Sequence, residues 1–275
     1  DTPGGLVGST LEICTFIKNL SDLKTVAWVH PAAYSAGAMI SLSCDEIVMA
    51  GASRMGDCAP ILISPTDGLK ELGKTERAKV ESPILKEFLD SSHRRGYDPL
   101  LCESMVRLGN EVWWVEDGAS GERRFVRKSE KESLMAKEGS AWKPVEKMLD
   151  PVSGTEVPMR QPIVEDRDLL TLTQSEAVVF GFAKAIVSSE SDLRSHYSIT
   201  GQIARLVPNW SEILADFLSS PIIRTVLMIL IALGAYAEFN APGHFVGGAV
   251  ALVALIIFLG APYLTGLADF WEILL

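Results

Sequence analysis

This chain of 275 residues lacks several sequence motifs that identify metal-binding and nucleotide-binding sites. Its four cysteines, Cys14, Cys44, Cys58 and Cys102, are widely spaced and form no CxxC pair, which excludes the usual zinc-ligand spacings. The sequence also has no HExxH motif, no phosphate-binding glycine loop and no dinucleotide fingerprint. It therefore predicts no metal and no cofactor. Whether the cysteines form disulfides is left open, because sequence alone cannot pair them.

Positive charge is scarce as well. The chain has 25 Lys and Arg against 35 Asp and Glu, a net charge of −10. The basic clusters are short: Arg94-Arg95, Arg123-Arg124 and Arg127-Lys128. Because nucleic-acid binding depends on clustered Lys and Arg, the composition excludes a nucleic-acid partner.

Charge of either sign is rare in the last fifth of the chain. After Pro221 the charged residues are Arg224, Glu238, Asp269 and Glu272. Residues 225–237 and 245–264 carry no charge, and about 20 apolar residues cross a bilayer core. The segment between them holds Pro242 and Gly243, which break helices. This pattern predicts a transmembrane α-helical hairpin in a lipid bilayer, with a buried pair of soluble core helices as the alternative.

The region before the tail alternates strand and helix patterns. Residues 25–30 and 46–50 are short apolar runs typical of buried strands, and helical patterns follow them. Such alternation predicts an α/β domain with a largely parallel sheet. We expect this domain over residues 1–200, a β-rich insertion at 110–165, a connector at 201–220 and a transmembrane region at 221–275. Within the insertion, the alternation on either side of Asp117-Gly118 predicts a β-hairpin followed by a polar loop. TQSE at residues 173–176 fits a helix capping box. Both ends of the sequence look truncated.

Three segments could carry chemistry. DTPGG at residues 1–5 precedes a helical pattern, and paired glycines there can offer backbone N–H groups to an anion. AAYSAGA at residues 32–38 places Ser35 among small residues at a strand-to-helix junction, where its hydroxyl can be exposed. DEIVMA at residues 45–50 is a strand that runs into a loop with Gly56 and Pro60. Each segment alone is more typical of ordinary turns, strands and helix starts than of an active site.

Together, in this order and spacing, the three segments resemble the Clp protease/crotonase superfamily. With the apolar tail they are most similar to its membrane-bound branch, the NfeD family of stomatin operon partner proteases. The resemblance implies a Clp protease/crotonase-like domain ahead of the hairpin. It implies Ser35 as the catalytic nucleophile, and Gly4, Gly5 and Ala36 as the oxyanion hole. The insertion at 110–165 has no counterpart that we can place in the family core.

The resemblance also implies a catalytic lysine, at the start of the helix after the loop. That position points to Lys79, 44 residues after Ser35, with Lys70, Lys74 and Lys86 as alternatives. A lysine acts as a base only where its surroundings favour the neutral form. Without the resemblance, Lys79 would be taken as an exposed helix lysine. His30 precedes Ser35 by five residues, but the family pattern gives it no role.

The expected function is therefore a membrane-anchored serine endopeptidase with a Ser–Lys dyad. The resemblance implies apolar peptide segments as substrates, a stomatin-like membrane protein as a partner, self-assembly into a homo-oligomer, and a protease domain on the extracytoplasmic side. Two alternatives remain open: an acyl-CoA enzyme on the crotonase fold, and a non-catalytic membrane scaffold.

Overall fold

The computed structural model describes residues 1–64, 68–70, 73–207, 209–241 and 245–264. The chain divides into two compact units, Asp1–Thr200 and Gly201–Leu275.

The first unit mixes helices and strands. Its helices are α1 (Val7–Lys18), α2 (Ala36–Ser43), α3 (Lys74–Arg95), α4 (Pro99–Val106), α5 (Lys128–Met135), α6 (Gln174–Val179) and α7 (Glu190–His196). Its strands are β1 (Val26–Val29), β2 (Ala32–Tyr34), β3 (Glu46–Met49), β4 (Arg54–Gly56), β5 (Leu62–Ser64), β6 (Gly68–Lys70), β7 (Val112–Asp117), β8 (Arg123–Arg127), β9 (Trp142–Pro144), β10 (Lys147–Leu149), β11 (Glu156–Pro158), β12 (Thr171–Thr173) and β13 (Ala185–Ile186).

Two small sheets form the α/β core. β1, β3 and β13 make a parallel sheet in the order β1-β3-β13. β4 lies between β2, which runs parallel to it, and β12, which runs antiparallel. The α/β class predicted from the sequence is thus confirmed.

α2 is buried almost throughout, which explains its small residues. Seven of its eight residues are buried, and Ile40 is partly buried. α3 packs against both α2 and α4, and Phe88 is only 1% exposed. Because bulky side chains in α2 would separate these helices, its Ala and Gly residues allow the close packing.

The β-rich insertion is confirmed, although the sequence missed part of it. β7 and β8 form the predicted antiparallel hairpin, and β9 pairs with the other edge of β7. The prediction of a polar loop after β8 is wrong, because α5 and β9 follow. α5 has no buried residue, so its composition resembled a loop. β9 could not be recognised from an apolar pattern. Its Trp142 ring packs against the Arg124 guanidinium, 4.5 Å away, instead of in a core.

The segment after β13 also contains a short helix that the sequence did not reveal. α7 begins after Ser189, whose hydroxyl accepts a hydrogen bond from the Asp192 N–H at 3.1 Å. Its residues are polar and none is buried, so its sequence lacks an apolar period. The capping box predicted at Thr173 and Glu176 is present at the start of α6.

The second unit consists of α8 (Trp210–Ser219), α9 (Pro221–Asn240) and α10 (Val246–Leu264). α9 and α10 form the expected helical hairpin, with their backbones closest at Gly234 and Gly247. A Cβ atom on Gly234 would lie 2.6 Å from the Gly247 carbonyl oxygen, so larger residues would force the helices apart. Within the part of the chain that the structure describes, α9 is long and apolar enough to cross a membrane by length and composition. Val246–Gly260 is a shorter apolar stretch.

Candidate active site

Ser35 occupies a sharp turn between β2 and α2. Its backbone has φ 51° and ψ −115°, a conformation that glycine adopts more readily than serine. The Ser35 N–H donates to the carbonyl oxygens of Gly56 and Asp57, each at 3.1 Å, and these bonds hold the turn. Backbone strain of this kind costs about 1–3 kcal/mol and is concentrated at functional sites. The turn therefore marks Ser35 as a candidate for chemistry.

The Ser35 side chain borders a small cavity of about 70 Å³. Its hydroxyl has no hydrogen-bond partner among the residues that the structure describes. The other lining residues are mostly apolar: Gly5, Val7, Thr10, Ala36, Met39, Cys58, Ala59, Pro60, Ile61, Ile84 and Phe88. These described walls contain no carboxylate, imidazole or amine. Burial raises the pKa of the Cys58 thiol, which therefore stays protonated and cannot serve as a base.

Gly4 and Gly5 lie directly beside Ser35. A Cβ atom on Gly4 would lie 3.3 Å from the Ser35 Cβ atom and 3.6 Å from its Oγ atom. The segment is held in place by Thr2, whose N–H donates to the Ala32 carbonyl at 3.0 Å and whose carbonyl accepts from the Tyr34 N–H at 2.9 Å. The first strand-like residues of the chain are thus fixed along β2.

Three backbone N–H groups around Ser35 are free to bind an anion. The N–H groups of Gly4, Gly5 and Ala36 have no acceptor within the described ranges, and that of Ala36 opens the N-terminus of α2. Helix N-termini favour negative charge. The N–H of Ser35 itself is bonded to Gly56 and Asp57, so it is not available. The structure thus brings Gly4, Gly5, Ser35 and Ala36 together.

Lys79 does not reach this cavity in the structure. It lies near the beginning of α3 with an exposed side chain, whereas Ile84 and Phe88 of the same helix line the cavity. Lys86 is also exposed, and the side chains of Lys70 and Lys74 lie outside the described residues. The assignment of Lys79 as the base stays a prediction.

The turn of α3 that carries Lys79 is attached to the domain through Glu81. Glu81 is buried, and one of its carboxylate oxygens lies 3.2 Å from Nε of Arg107 at the end of α4. Pro83 follows inside the helix, and it has no N–H to bond the Lys79 carbonyl. The turn that carries Lys79 therefore lacks one helix hydrogen bond, and Glu81 ties it to Arg107.

The histidines offer no alternative base. His30 is exposed and packs against the Trp28 ring at 5.9 Å between centroids, while His93 and His196 are also exposed. His244 lies outside the described residues. Within the described ranges, no histidine lines the Ser35 cavity.

Sequence reasoning missed most of the cavity wall. Thr10, Met39, Ile84 and Phe88 come from three different helices, and Cys58 comes from the loop after β4. Ile84 and Phe88 lie one helical turn apart and so share a face of α3. Their spacing could not indicate that this face meets Ser35.

Known proteins agree with this architecture. The family model described as NfeD1b, N-terminal domain, matches residues 1–122, and the model described as NfeD integral membrane domain matches residues 222–275. Membrane protein NfeD1b of Bacillus subtilis (strain 168) is 26% identical over 276 residues, covering all of this chain and 50% of that protein. The chain therefore spans about half the length of this curated relative.

Solved structures give a weaker likeness. The 1510-N membrane protease specific for a stomatin homolog from Pyrococcus horikoshii is 14% identical, with a TM-score of 0.43 over 80% of this chain and 79% of that one. A mutant of the 1510-N membrane-bound stomatin-specific protease in complex with a substrate peptide is 16% identical, with a TM-score of 0.47 over 79% of this chain and 80% of that one. Identities and TM-scores this low do not define the function of this chain.

The α/β domain and the integral membrane region define this chain as a membrane protein. Both its N-terminal and its membrane segments are similar to NfeD proteins. The family resemblance inferred from the sequence motifs is confirmed.

Proposed function

We propose that this chain is a membrane-anchored serine endopeptidase that cleaves apolar peptide segments, with Ser35 as the nucleophile. The observation that carries the proposal is the site around Ser35. A hydroxyl without a partner among the described residues, on a strained strand-to-helix turn, borders an apolar cavity beside the free N–H groups of Gly5 and Ala36.

The reaction is acyl transfer. The Ser35 Oγ atom attacks the scissile carbonyl carbon while Lys79 takes the hydroxyl proton. The carbonyl oxygen becomes an oxyanion held by the N–H groups of Gly4 or Gly5 and of Ala36. Each such donor contributes about 3–4 kcal/mol to the transition state in comparable enzymes. Lys79 then gives the proton to the leaving amine, and water hydrolyses the acyl ester on Ser35.

Lys79 must move for this chemistry, because its side chain is exposed in the structure. The Pro83 interruption of α3 supports such a movement, since the turns before it lack one hydrogen bond to the rest of the helix. A bound peptide, covering the cavity, excludes water and favours the neutral lysine that a base requires.

The cavity supports a preference for small aliphatic residues at the cleaved bond. Its volume of about 70 Å³ is closed by Met39, Ile84 and Phe88. An apolar cavity of about 150 Å³ holds a benzene ring, so half that volume suits Ala or Val better than Phe. The peptide backbone binds by strand addition beside Gly5 and the exposed Leu6.

The family resemblance supports three further parts of the proposal: the substrate, the side of the membrane and the oligomeric state. The substrate is the apolar segment of a stomatin-like membrane protein, the protease domain faces the extracytoplasmic side, and the chain assembles with copies of itself. One observation favours a second candidate, a non-catalytic scaffold: the exposed position of Lys79.

The test uses the full chain in lipid nanodiscs, incubated with a pool of apolar peptides and read by mass spectrometry. Wild type is compared with Ser35→Ala and Lys79→Ala. The matched controls are Ser9→Ala and Lys86→Ala, which change an exposed serine and another exposed lysine of α3. Loss of cleavage in the first pair alone supports the dyad. Normal cleavage by Lys79→Ala refutes the base assignment, and no cleavage by wild type favours the scaffold.

A further inference from the structure

The helix that precedes the hairpin, α8, has a face that the described residues of its own unit leave exposed. Its first residue follows the N-cap Asn209, whose side chain accepts a hydrogen bond from the Glu212 N–H at 2.9 Å. Four large apolar side chains then recur at the spacing of one helix face, with 45% to 78% of their surface exposed: Trp210, Ile213, Leu214 and Phe217. An arc of this spacing covers about 100° of the helix.

The opposite face of α8 is occupied. Ala215, half a turn away from the exposed stripe, is 4% exposed, and α8 packs against both α9 and α10. Asp216 is exposed beside the stripe, Glu212 is exposed farther round the helix, and α8 carries no Lys or Arg. The stripe is therefore the outer surface of a helix already anchored on its inner side.

The chain itself indicates what covers this stripe. α8 ends at Ser219 and α9 begins at Pro221, so one residue separates the stripe from a helix of the integral membrane domain. α9 itself exposes the apolar side chains of Ile222, Val226 and Ile229. Arg224, in the first turn of α9, lies over the Phe258 ring at 4.5 Å, and such long basic side chains mark the edge of the lipid layer.

We propose that α8 is an interfacial helix whose stripe of Trp210, Ile213, Leu214 and Phe217 lies in the boundary between lipid headgroups and acyl chains. Trp210 suits this boundary because its ring is apolar and its N–H is polar. Helices of this kind insert their apolar face to a depth of about 5–10 Å. With two acidic residues and no basic one, α8 binds through apolar burial, so a zwitterionic bilayer is sufficient.

The experiment compares two neighbouring positions on α8 in the full chain. Phe217→Cys places a nitroxide spin label on the stripe, and Asp216→Cys places the same label beside it on the acidic side. The native cysteines, Cys14, Cys44, Cys58 and Cys102, are all buried, which favours selective labelling. Each protein is reconstituted in phosphatidylcholine nanodiscs, and collision with oxygen and with a water-soluble nickel chelate is measured by power saturation.

At position 217 we expect an oxygen-to-nickel collision ratio at least about threefold that at position 216, because oxygen concentrates in the acyl region that this face reaches. Equal, nickel-accessible labels at both positions would overturn the proposal. A label at 217 that is shielded from both reagents, with spin–spin broadening that disappears on dilution with unlabelled chain, would assign the stripe to a second copy instead.

A second measurement avoids the cysteine substitutions. Lipids brominated near the headgroup should quench the Trp210 emission, taken as the difference between wild type and Trp210→Phe. Quenching by lipids brominated at the chain ends alone, or by none, contradicts an interfacial position.

Discussion

Gly37 and Thr2 pack directly against each other near the candidate active site. A Cβ atom on Gly37 would lie 2.7 Å from the Thr2 Cβ atom and 3.2 Å from the Thr2 carbonyl oxygen. The missing side chain of Gly37 therefore allows the first residues of the chain to pass beside α2. That passage is what brings Gly4 and Gly5 to Ser35.

Gly37→Ala should displace the Thr2 segment and lower peptide cleavage by about 10²-fold, because catalytic groups misplaced by about 1 Å lose activity of that order. Overpacking of this kind costs about 1–3 kcal/mol of stability. The double variant Gly37→Ala with Thr2→Gly removes the Thr2 Cβ and should recover part of the cleavage rate. Rates of the single and double variants in nanodiscs check this, and a wild-type rate in Gly37→Ala contradicts it.

Phe88→Leu should shift the preferred residue at the cleaved bond toward larger side chains, because Phe88 closes the cavity beside Ser35. We expect the ratio of kcat/KM for Leu over Ala peptides to rise by about tenfold, the effect of one or two methylene groups in a pocket. The matched control is Phe182→Leu, which alters an equally buried phenylalanine stacked on Tyr97 at 5.0 Å, away from the cavity. An equal shift in both variants would mean that general loosening, and not cavity volume, is responsible.

Glu81→Gln should lower kcat more than it raises KM. The substitution weakens the link between Arg107 and the turn of α3 that carries Lys79, so the base is less well positioned while the peptide-binding cavity remains. The cost in stability is about 1 kcal/mol, because Arg107 is partly solvated and water replaces the lost pair. Asp90→Asn breaks ion pairs with Lys18 and Arg94 farther along α3 and should leave kcat unchanged. Equal kcat values in wild type and Glu81→Gln would remove Glu81 from the mechanism.

Asp98→Asn should steepen the acid side of the pH–stability profile, because the variant gains stability relative to wild type as pH rises. Burial raises the pKa of Asp98 in the folded chain, although the N–H groups of Leu100 and Leu101 donate to its carboxylate and act in the opposite direction. A raised folded-state pKa means that the Asp98 contribution to stability is present below the unfolded pKa of about 3.9 and is lost as pH rises through the folded pKa.

Asparagine is also a good N-cap, so the variant keeps the start of α4 and removes the buried charge. Thermal unfolding of the full chain in detergent, followed by near-UV circular dichroism from pH 3 to 7, measures the difference. A variant whose Tm runs parallel to that of wild type across this range contradicts the prediction.

Local patterns predicted much of the fold. The apolar runs gave β1 and β3, the alternation around residues 117–118 gave the β7–β8 hairpin, and the charge-free tail gave α9 and α10. Each of these signals depends on burial or charge along a short stretch. α5, α7 and β9 were missed because they lie on the surface, where polar side chains leave no periodic pattern.

The sequence predicted only those residues of the candidate site that belong to the family motif. The motif pointed to Gly4, Gly5, Ser35 and Ala36, and the structure brings these residues together. The cavity wall depends on how α1, α2 and α3 pack, which no local pattern encodes. The catalytic roles of these residues, and of Lys79, stay predictions.

Trapping of the acyl intermediate tests the central claim most directly. The full chain in nanodiscs is mixed with a cleavable apolar peptide, quenched with acid during turnover, digested and analysed by mass spectrometry. Our account predicts a mass increase equal to the acyl part of the peptide on the fragment that contains Ser35, and none in Ser35→Ala. Acylation of another residue, or wild-type cleavage by Ser35→Ala, would contradict it.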